Sequence, residues 1–515
     1  MAFGAASSLR RSVVQTAAAA SIPFSQLRAS QFENICRAIG NARVVCIGEE
    51  THGTEEFYEI RAQITKYLIE KEGFDMVICE GDFPQFYDLH RYVGGTSHPI
   101  RNVHGPGGKL AAPQRGAASV PEAMRRLRTR YPVWMWHNIV VRDFVSWLKK
   151  FNDNLSLAGE QPNSRPAVGI FGMDIYSMRQ SAHEVISYLE QVDPDLAMQA
   201  RHHYEALSNF GYDPQLYARA LLKDRVDSQQ KHVIAMLTKL LNEELRLSAL
   251  PGDGDELFSA AENARIVKDA EEYYRKSYTD IISGHVTWNI RDTAMVDFID
   301  HALAHYDKRM AAAPSSSSKY RSRCVVWAHN SHIGDARSYA DAPSTSQAAQ
   351  ISVGQLVRER YGMADSFLIG QLMHTGTVRA SLQWDGQAYI MDVNPSLSSS
   401  YEQLLHQVSV ETAHPSFGVI LRSNGDRYGL SKAEEAARNA LDEPRLERFI
   451  GVQYRKETEL QSHYKLCRMA AQFDAVIHVD ETSAIRMIPT AADLRPGTID
   501  YSKWEHIADD SLDVE

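Results

Sequence analysis

The sequence predicts an α/β protein: an αβα core around a largely parallel sheet, with a helical insertion domain and a small α+β lobe. Three observations predict it. Short apolar runs recur along the chain, bounded by glycine or polar residues, and most end in acid or imidazole; such runs read as buried strands. A helical pattern separates the first two of them. A long stretch further on has helical periodicity and few strand signals.

The first run, Val44-Val45-Cys46-Ile47, leads into Gly48-Glu49-Glu50-Thr51-His52-Gly53-Thr54. A helix should follow, with Thr54 as its cap, Glu55 and Glu56 at the positive end of its dipole and Gly73 as its stop. Arg61 falls two turns into that helix, where its side chain can reach back toward His52. The second run, Phe74-Asp75-Met76-Val77-Ile78-Cys79, ends at Glu80. Strand, helix and strand make a βαβ unit, whose crossover should be right-handed. Residues 168–173 form a third run, ending at Asp174. Cys324-Val325-Val326-Trp327-Ala328 ends at His329-Asn330-Ser331-His332, and Ser366-Phe367-Leu368-Ile369 ends at Gly370-Gln371. Open parallel sheets place their ligands at the carboxyl ends of their strands, where these acids and imidazoles fall.

A chain of 515 residues exceeds one compact core. We assign 31–182 and 320–374 to a discontinuous αβα catalytic core and 183–319 to a helical cap. The segment 375–430 becomes the small lobe, 431–490 a return to the core, and 1–30 an N-terminal extension. Residues 289–295 open the last helix of the cap. Glycine and proline mark 105–113 as a loop and 314–318 as a Pro-Ser linker.

Composition narrows the partners. Lys+Arg 55 against Asp+Glu 65 gives a net charge of −10, which argues against a polyanion such as nucleic acid. No apolar stretch approaches the roughly 20 residues of a membrane span. Cys36, Cys46, Cys79, Cys324 and Cys467 form no CxxC pair, so buried, reduced thiols in a cytoplasmic protein are expected. The first 28 residues carry Arg10, Arg11 and Arg28 but no acid. They read either as a helix packed on the domain or as a targeting segment.

The chain has no G-x-S-x-G elbow, no HExxH, no Walker A motif and no G-x-G-x-x-G. What remains is imidazole, carboxylate and guanidinium. A histidine oriented by a carboxylate can take a proton from water, and an arginine or second imidazolium can stabilise an oxyanion. That set suits acyl hydrolysis without a covalent intermediate. His329-x-x-His332 with His52 and Glu80 equally suits zinc, and spacing does not separate the two. Ordinary roles are open as well: a strand-end histidine as a bonded turn residue, Arg291-Asp292 as a surface ion pair, Trp134, Trp136 and Trp288 as packing. Convergence of Glu49, His52, Glu80, His329 and His332 on one sheet edge favours a site.

In a series of ordered blocks the chain resembles the erythromycin esterase family, which includes proteins described as succinoglycan-biosynthesis-like. The most specific block is Val326-Trp327-Ala328-His329-Asn330-Ser331-His332-Ile333-Gly334-Asp335-Ala336-Arg337. Others are 48–57, 78–84, Trp134-Met135-Trp136-His137-Asn138, 172–177, Trp288-Asn289-Ile290-Arg291-Asp292, 353–358, 450–454, 462–464 and 472–478. The resemblance runs from about residue 42 to 484. It implies a hydrolase that opens a small-molecule ester or lactone with water, on a macrolide or another polyketide, without a required metal or cofactor. It also implies site residues. The family's catalytic Glu-x-x-His falls on Glu49 and His52, its helix arginine on Arg61 and its second acid on Glu80. Its histidine pair falls on His329 and His332. Its helical Arg-Asp motif makes Arg291 a contact for substrate or oxyanion, and Asp174, Trp136 and His137 join it as expected substrate-binding residues. Two departures bear on the substrate: His137 stands in place of an arginine, and Gly81-Asp82-Phe83-Pro84 replaces an acid-aromatic version. The base is His52 or His329. The alternatives are a metal-dependent hydrolase, with zinc in the same site, and a non-hydrolytic biosynthetic or binding protein of the same fold.

Overall fold

Strands that are apolar on both faces require helices over both sides of the sheet, and the computed structural model has that layering. It describes residues 2–95, 117, 119–158, 166–208, 214–223, 225, 227–248, 254–277, 285–311, 320–340, 349–425 and 428–489. The strands are β1 (Ile22–Pro23), β2 (Val44–Ile47), β3 (Met76–Asp82), β4 (Gly169–Asp174), β5 (Cys324–Trp327) and β6 (Ser366–Ser381). After them come β7 (Ala388–Val393), β8 (Ser416–Ile420), β9 (Arg445–Arg448), β10 (Tyr464–Cys467) and β11 (Ala475–Thr482).

Among the described residues nine strands form one sheet in the order β1-β8-β11-β6-β2-β5-β3-β4, with β7 paired to β6. From β11 to β4 every neighbouring pair is parallel, while β8 and β1 run antiparallel at one edge. This is the mixed α/β architecture with a mostly parallel sheet that the apolar runs predict. β5 lies between β2 and β3. The carboxyl ends of β2, β5, β3 and β4 are therefore neighbours, although their residues are scattered along the chain.

Alternation distributes each strand between two cores. Val45, Ile47, Val77 and Cys79 enter one apolar cluster with Ile64 and Leu68 of the helix Glu55–Glu72 and Val145 and Leu148 of the helix Ile139–Ala158. Val44, Cys46, Met76 and Ile78 enter the other with Met295, Ile299 and Leu303 of the helix His285–Ala311. Helices between Met178 and Ser277 pack on an apolar cluster of their own, built around Val185, Tyr204, Met236 and Val267.

Local expectations meet several corrections. The helix Glu55–Glu72 ends at Gly73, whose φ of 74° is the left-handed conformation glycine adopts freely. Its cap differs. Thr54 does not bond the helix with its side chain, and its Oγ1 lies 2.5 Å from Thr51 Oγ1. The Glu55 N–H instead donates to the Ser483 carbonyl, so backbone after β11 replaces a side-chain cap. β6 does not stop at Gly370 but runs to Ser381, because β11 and then β7 take up its backbone hydrogen bonds. The helix expected from Asn289 begins at His285. Within the N-terminal segment a helix spans Ala2–Ala20, and its Val13, Val14, Ala17 and Ala20 are buried against the second cluster. All five cysteines are buried without a disulfide. Among the described residues no helix is long and apolar enough to cross a membrane. The 105–113 loop and the 314–318 linker lie outside the described residues.

Candidate active site

The carboxyl ends of β2, β5, β3 and β4 open into a cavity of about 480 Å³ lined by His52, Glu80, Asp174, Arg291, His329 and His332 among others. That volume is in the range of small-molecule sites.

His52 is reached by a short turn from β2. Glu49 Oε1 lies 2.8 Å from His52 Nδ1, and Glu49 Oε2 lies 2.7 Å from Arg61 Nη2. Arg61 is fully buried, with its guanidinium 4.2 Å from the Tyr58 ring centre and 5.3 Å from that of Trp327. A buried arginine is costly without a partner charge, and Glu49 is that partner. Tyr58 OH donates to the His52 carbonyl at 2.8 Å. Arg61 therefore holds Glu49, and the Glu49 carboxylate accepts a hydrogen bond from His52 Nδ1–H. The tautomer that results leaves the lone pair on Nε2.

His329 is differently placed. Its Nε2 lies 3.0 Å from the Glu50 carbonyl and 3.2 Å from the Ile450 carbonyl. Both are acceptors, so Nε2 carries the hydrogen. Its Nδ1 then accepts from the Ser331 hydroxyl at 2.7 Å and the Ser331 N–H at 3.2 Å. Burial, with the His52 ring 4.8 Å away, pushes the His329 pKa well below the ordinary range. It is a neutral brace with both ring nitrogens engaged. Glu50 is anchored in turn by the fully buried Arg448 at 2.5 Å, which ties this turn to β9.

Glu80, Asp174, Arg291, His332 and Asp292 form one connected cluster. Arg291 donates to Asp174 through Nε at 2.9 Å and Nη2 at 2.8 Å, and its Nη2 also reaches Glu80 Oε1 at 2.7 Å. The other oxygen of Glu80 accepts the His329 backbone N–H at 2.9 Å. Burial alone would raise the Glu80 pKa, but His332 and Arg291 outweigh it and hold the carboxyl well below its usual range. His332 Nδ1 donates to Asp292 Oδ1 at 2.8 Å. Its Nε2 faces Arg291 Nη1 at 2.8 Å and Glu80 Oε1 at 3.3 Å. Those two contacts belong to different protonation states: a lone pair accepts from arginine, a proton is given to the carboxylate. Burial disfavours the imidazolium, yet Asp292 and Glu80 prevail and raise the His332 pKa to about 9. Trp288 stacks on the ring at 4.3 Å and 6°.

Arg291 and Asp292 are thus not a surface ion pair. The Arg291 side chain is 11% exposed and that of Asp292 is fully buried, and each serves a different partner. Trp288, Arg291 and Asp292 sit at i, i+3 and i+4 of one helix and share a face. That spacing was the available signal for Asp292, which sequence reasoning left without a role.

Of the remaining expected residues, Trp136 lines the cavity and donates Nε1–H to the Glu80 carbonyl at 2.9 Å. His137 is buried but is not among the residues that line the cavity. Burial and Arg128 lower its pKa to about 4. Asp82 lines the cavity with Arg130 Nε 2.6 Å away, a pair that sequence reasoning did not identify. Among the described residues no group of three or more His, Cys, Asp or Glu side chains is arranged to hold a metal ion. Engagement of both His329 nitrogens is one reason: His329 and His332 cannot ligate together as they stand.

A family model described as "Erythromycin esterase" matches residues 69–482. That span begins downstream of Glu49, His52 and Arg61, whereas the resemblance read from the sequence starts near residue 42. Among solved structures, a succinoglycan biosynthesis protein is similar at 17% identity and a TM-score of 0.65, covering 93% of this chain and 99% of that one. A Bacillus cereus protein is similar at 16% identity and a TM-score of 0.65, with the same coverage of 93% and 99%. A variant of the erythromycin esterase EreC in its open conformation gives 16% identity and a TM-score of 0.54, covering 88% of this chain and 94% of that one. At these identities the structural likenesses concern the fold.

Proposed function

Since the chain belongs to the erythromycin esterase family, whose name marks esterase-like hydrolases, we propose that it hydrolyses a carboxylic ester or lactone by histidine-activated water without a covalent intermediate. The observation that carries this reading is a pair of histidine–carboxylate couples on one cavity, His52 with Glu49 and His332 with Asp292.

His52 is the base in this reading. Its Nδ1 is held by Glu49, and Nε2 takes a proton from water as the oxygen attacks the ester carbonyl carbon. His329 is a poor rival, because its lone pair already accepts from Ser331. Negative charge gathers on the carbonyl oxygen, where Arg291 and the His332 imidazolium supply positive charge in a buried setting. When the tetrahedral intermediate collapses, the alkoxide leaves with the Nε2 proton of His332. Arg291 Nη1 can then donate to the vacated lone pair, and the proton on His52 returns the site to its starting charge by way of solvent. A macrolide or another polyketide lactone is the substrate class the family suggests. No metal or cofactor takes part in this scheme.

A panel of simple esters and lactones, followed by pH-stat, tests the reading. Turnover of at least one member that His52→Ala abolishes is the expected result. Turnover that His52→Ala leaves intact would remove His52 from the chemistry.

A further inference from the structure

We propose that the mouth of the cavity is an aromatic clamp and that it selects esters carrying an aromatic ring. The reaction part of this inference rests on the reading above; the ring selection does not. Four rings reach the cavity from four separate segments: Tyr131, Tyr176 just after β4, Tyr273 on the helix Asp255–Ser277, and Trp384 in the turn between β6 and β7. Tyr131 and Trp384 meet edge-on, with centroids 5.3 Å apart at 72°. Tyr176 and Tyr273 do the same at 5.4 Å and 85°, and Tyr176 lies 6.4 Å from Trp384.

Trp384 is 47% exposed and sits in a hairpin turn, packed edge-on against Tyr131 beside the cavity it lines. The turn is nevertheless held in place, because Tyr131 OH and Ser381 Oγ lie 2.5 Å apart at its base. The half-exposed Trp384 ring keeps surface for a further ring, whereas Tyr176 is already met by the guanidinium groups of Arg130 and Arg291, 4.8 Å and 5.0 Å from its ring centre. Tyr176 connects this group to the chemistry: the Arg291 guanidinium lies 5.0 Å from its ring centre. A ring on the acyl or alcohol part of the substrate would then fall within a few bonds of the reacting carbonyl. An aromatic ring gains quadrupole contacts there that a saturated ring of the same size lacks, worth roughly two- to tenfold in binding.

The test compares matched pairs on the full chain: ethyl phenylacetate against ethyl cyclohexylacetate, and benzyl acetate against cyclohexylmethyl acetate. The expected result is a preference of roughly two- to tenfold in kcat/KM for the aromatic member of at least one pair. Trp384→Ala should bring that ratio close to one, and Trp384→Phe should retain part of it. Each ratio is taken within one variant, so a general loss of activity cancels. A ratio that Trp384→Ala leaves unchanged, or no aromatic preference in the parent, overturns the proposal. If no ester is turned over, the reaction reading fails instead. Ring selection is then read from ligand-detected NMR of benzyl alcohol against cyclohexylmethanol, where equal binding, or a preference that Trp384→Ala leaves intact, overturns it.

Discussion

Arg291 and Asp292, neighbours on one helix, hold His332 from opposite sides, Nη1 at 2.8 Å from Nε2 and Oδ1 at 2.8 Å from Nδ1. Of the two, the carboxylate and Glu80 decide the charge, and the His332 pKa stands at about 9. Because that value lies above the ordinary histidine range, the imidazolium survives through neutral pH and is lost as pH rises through about 9. Its contribution to folding stability is present in full below the ordinary histidine value of 6.5 and is lost as pH rises from there through about 9. kcat/KM should therefore fall on an alkaline limb near pH 9. Asp292→Asn removes a charge that favours the imidazolium, so the limb should move to lower pH by roughly one to three units. Profiles from pH 6 to 10 would show it, and a limb that stays in place would assign the titration to another group.

Arg291→Ala should cost stability as well as turnover. An exposed arginine could be removed with almost no change in thermal midpoint, and a surface pairing with Asp292 would have implied that outcome. In the folded protein Arg291 is 11% exposed and meets both Glu80 and Asp174. Its loss leaves buried Asp174 without its forked partner and Glu80 with His332 alone, which we expect to cost about 3–5 kcal/mol in urea unfolding. Arg291→Lys should recover only part of either property, because an ammonium cannot make the forked contact to Asp174.

How far the site was legible depended on distance along the chain. Glu49 and His52 stand three positions apart in a turn after an apolar run, so their partnership could be anticipated from one short peptide. Glu80 and Arg291 are 211 positions apart, and no local pattern pairs them. Sheet order makes that contact, by setting β5 between β2 and β3 and packing the helix His285–Ala311 over the same edge. β2, β3, β4, β5 and the start of β6 were legible because each is an apolar run buried on both faces. Beyond Ile369, β6 passes through Gly370, Gln371, His374 and Thr375, residues without a strand pattern, and its extent came from pairing partners. The aromatic mouth was hidden for the same reason, since Tyr131, Tyr176, Tyr273 and Trp384 come from four segments.

Activity should survive a strong chelator. A zinc site would need ring nitrogens free to ligate, and His329 has neither. Ester turnover before and after prolonged dialysis against the chelator is the measurement. Loss restored by stoichiometric zinc would show that the chemistry is metal-dependent.

Acid should unfold the protein partly through Glu80. Its carboxyl is held well below the ordinary glutamate value of 4.5, so its stabilising contribution is present above that pH and is lost as pH falls. Glu80→Gln removes the titrating group and should flatten the fall in stability below about pH 4.5. Urea midpoints at a series of acid pH values compare the two proteins, and parallel curves would exclude Glu80 as a contributor.

His52 and Glu80 have different immediate partners yet line the same cavity, which makes their coupling a test of the mechanism. His52 is oriented by Glu49, while Glu80 fixes Arg291 and accepts the His329 backbone N–H. If both serve one transition state, His52→Ala and Glu80→Gln should each lower kcat by at least about 10². The double variant should then be little worse than the poorer single one, because groups that act as a unit are strongly non-additive. Losses that multiply would mean that base and charge-holding cluster work independently, and the shared site would have to be divided. Full activity in both variants, on a substrate the parent hydrolyses, would make the cluster structural.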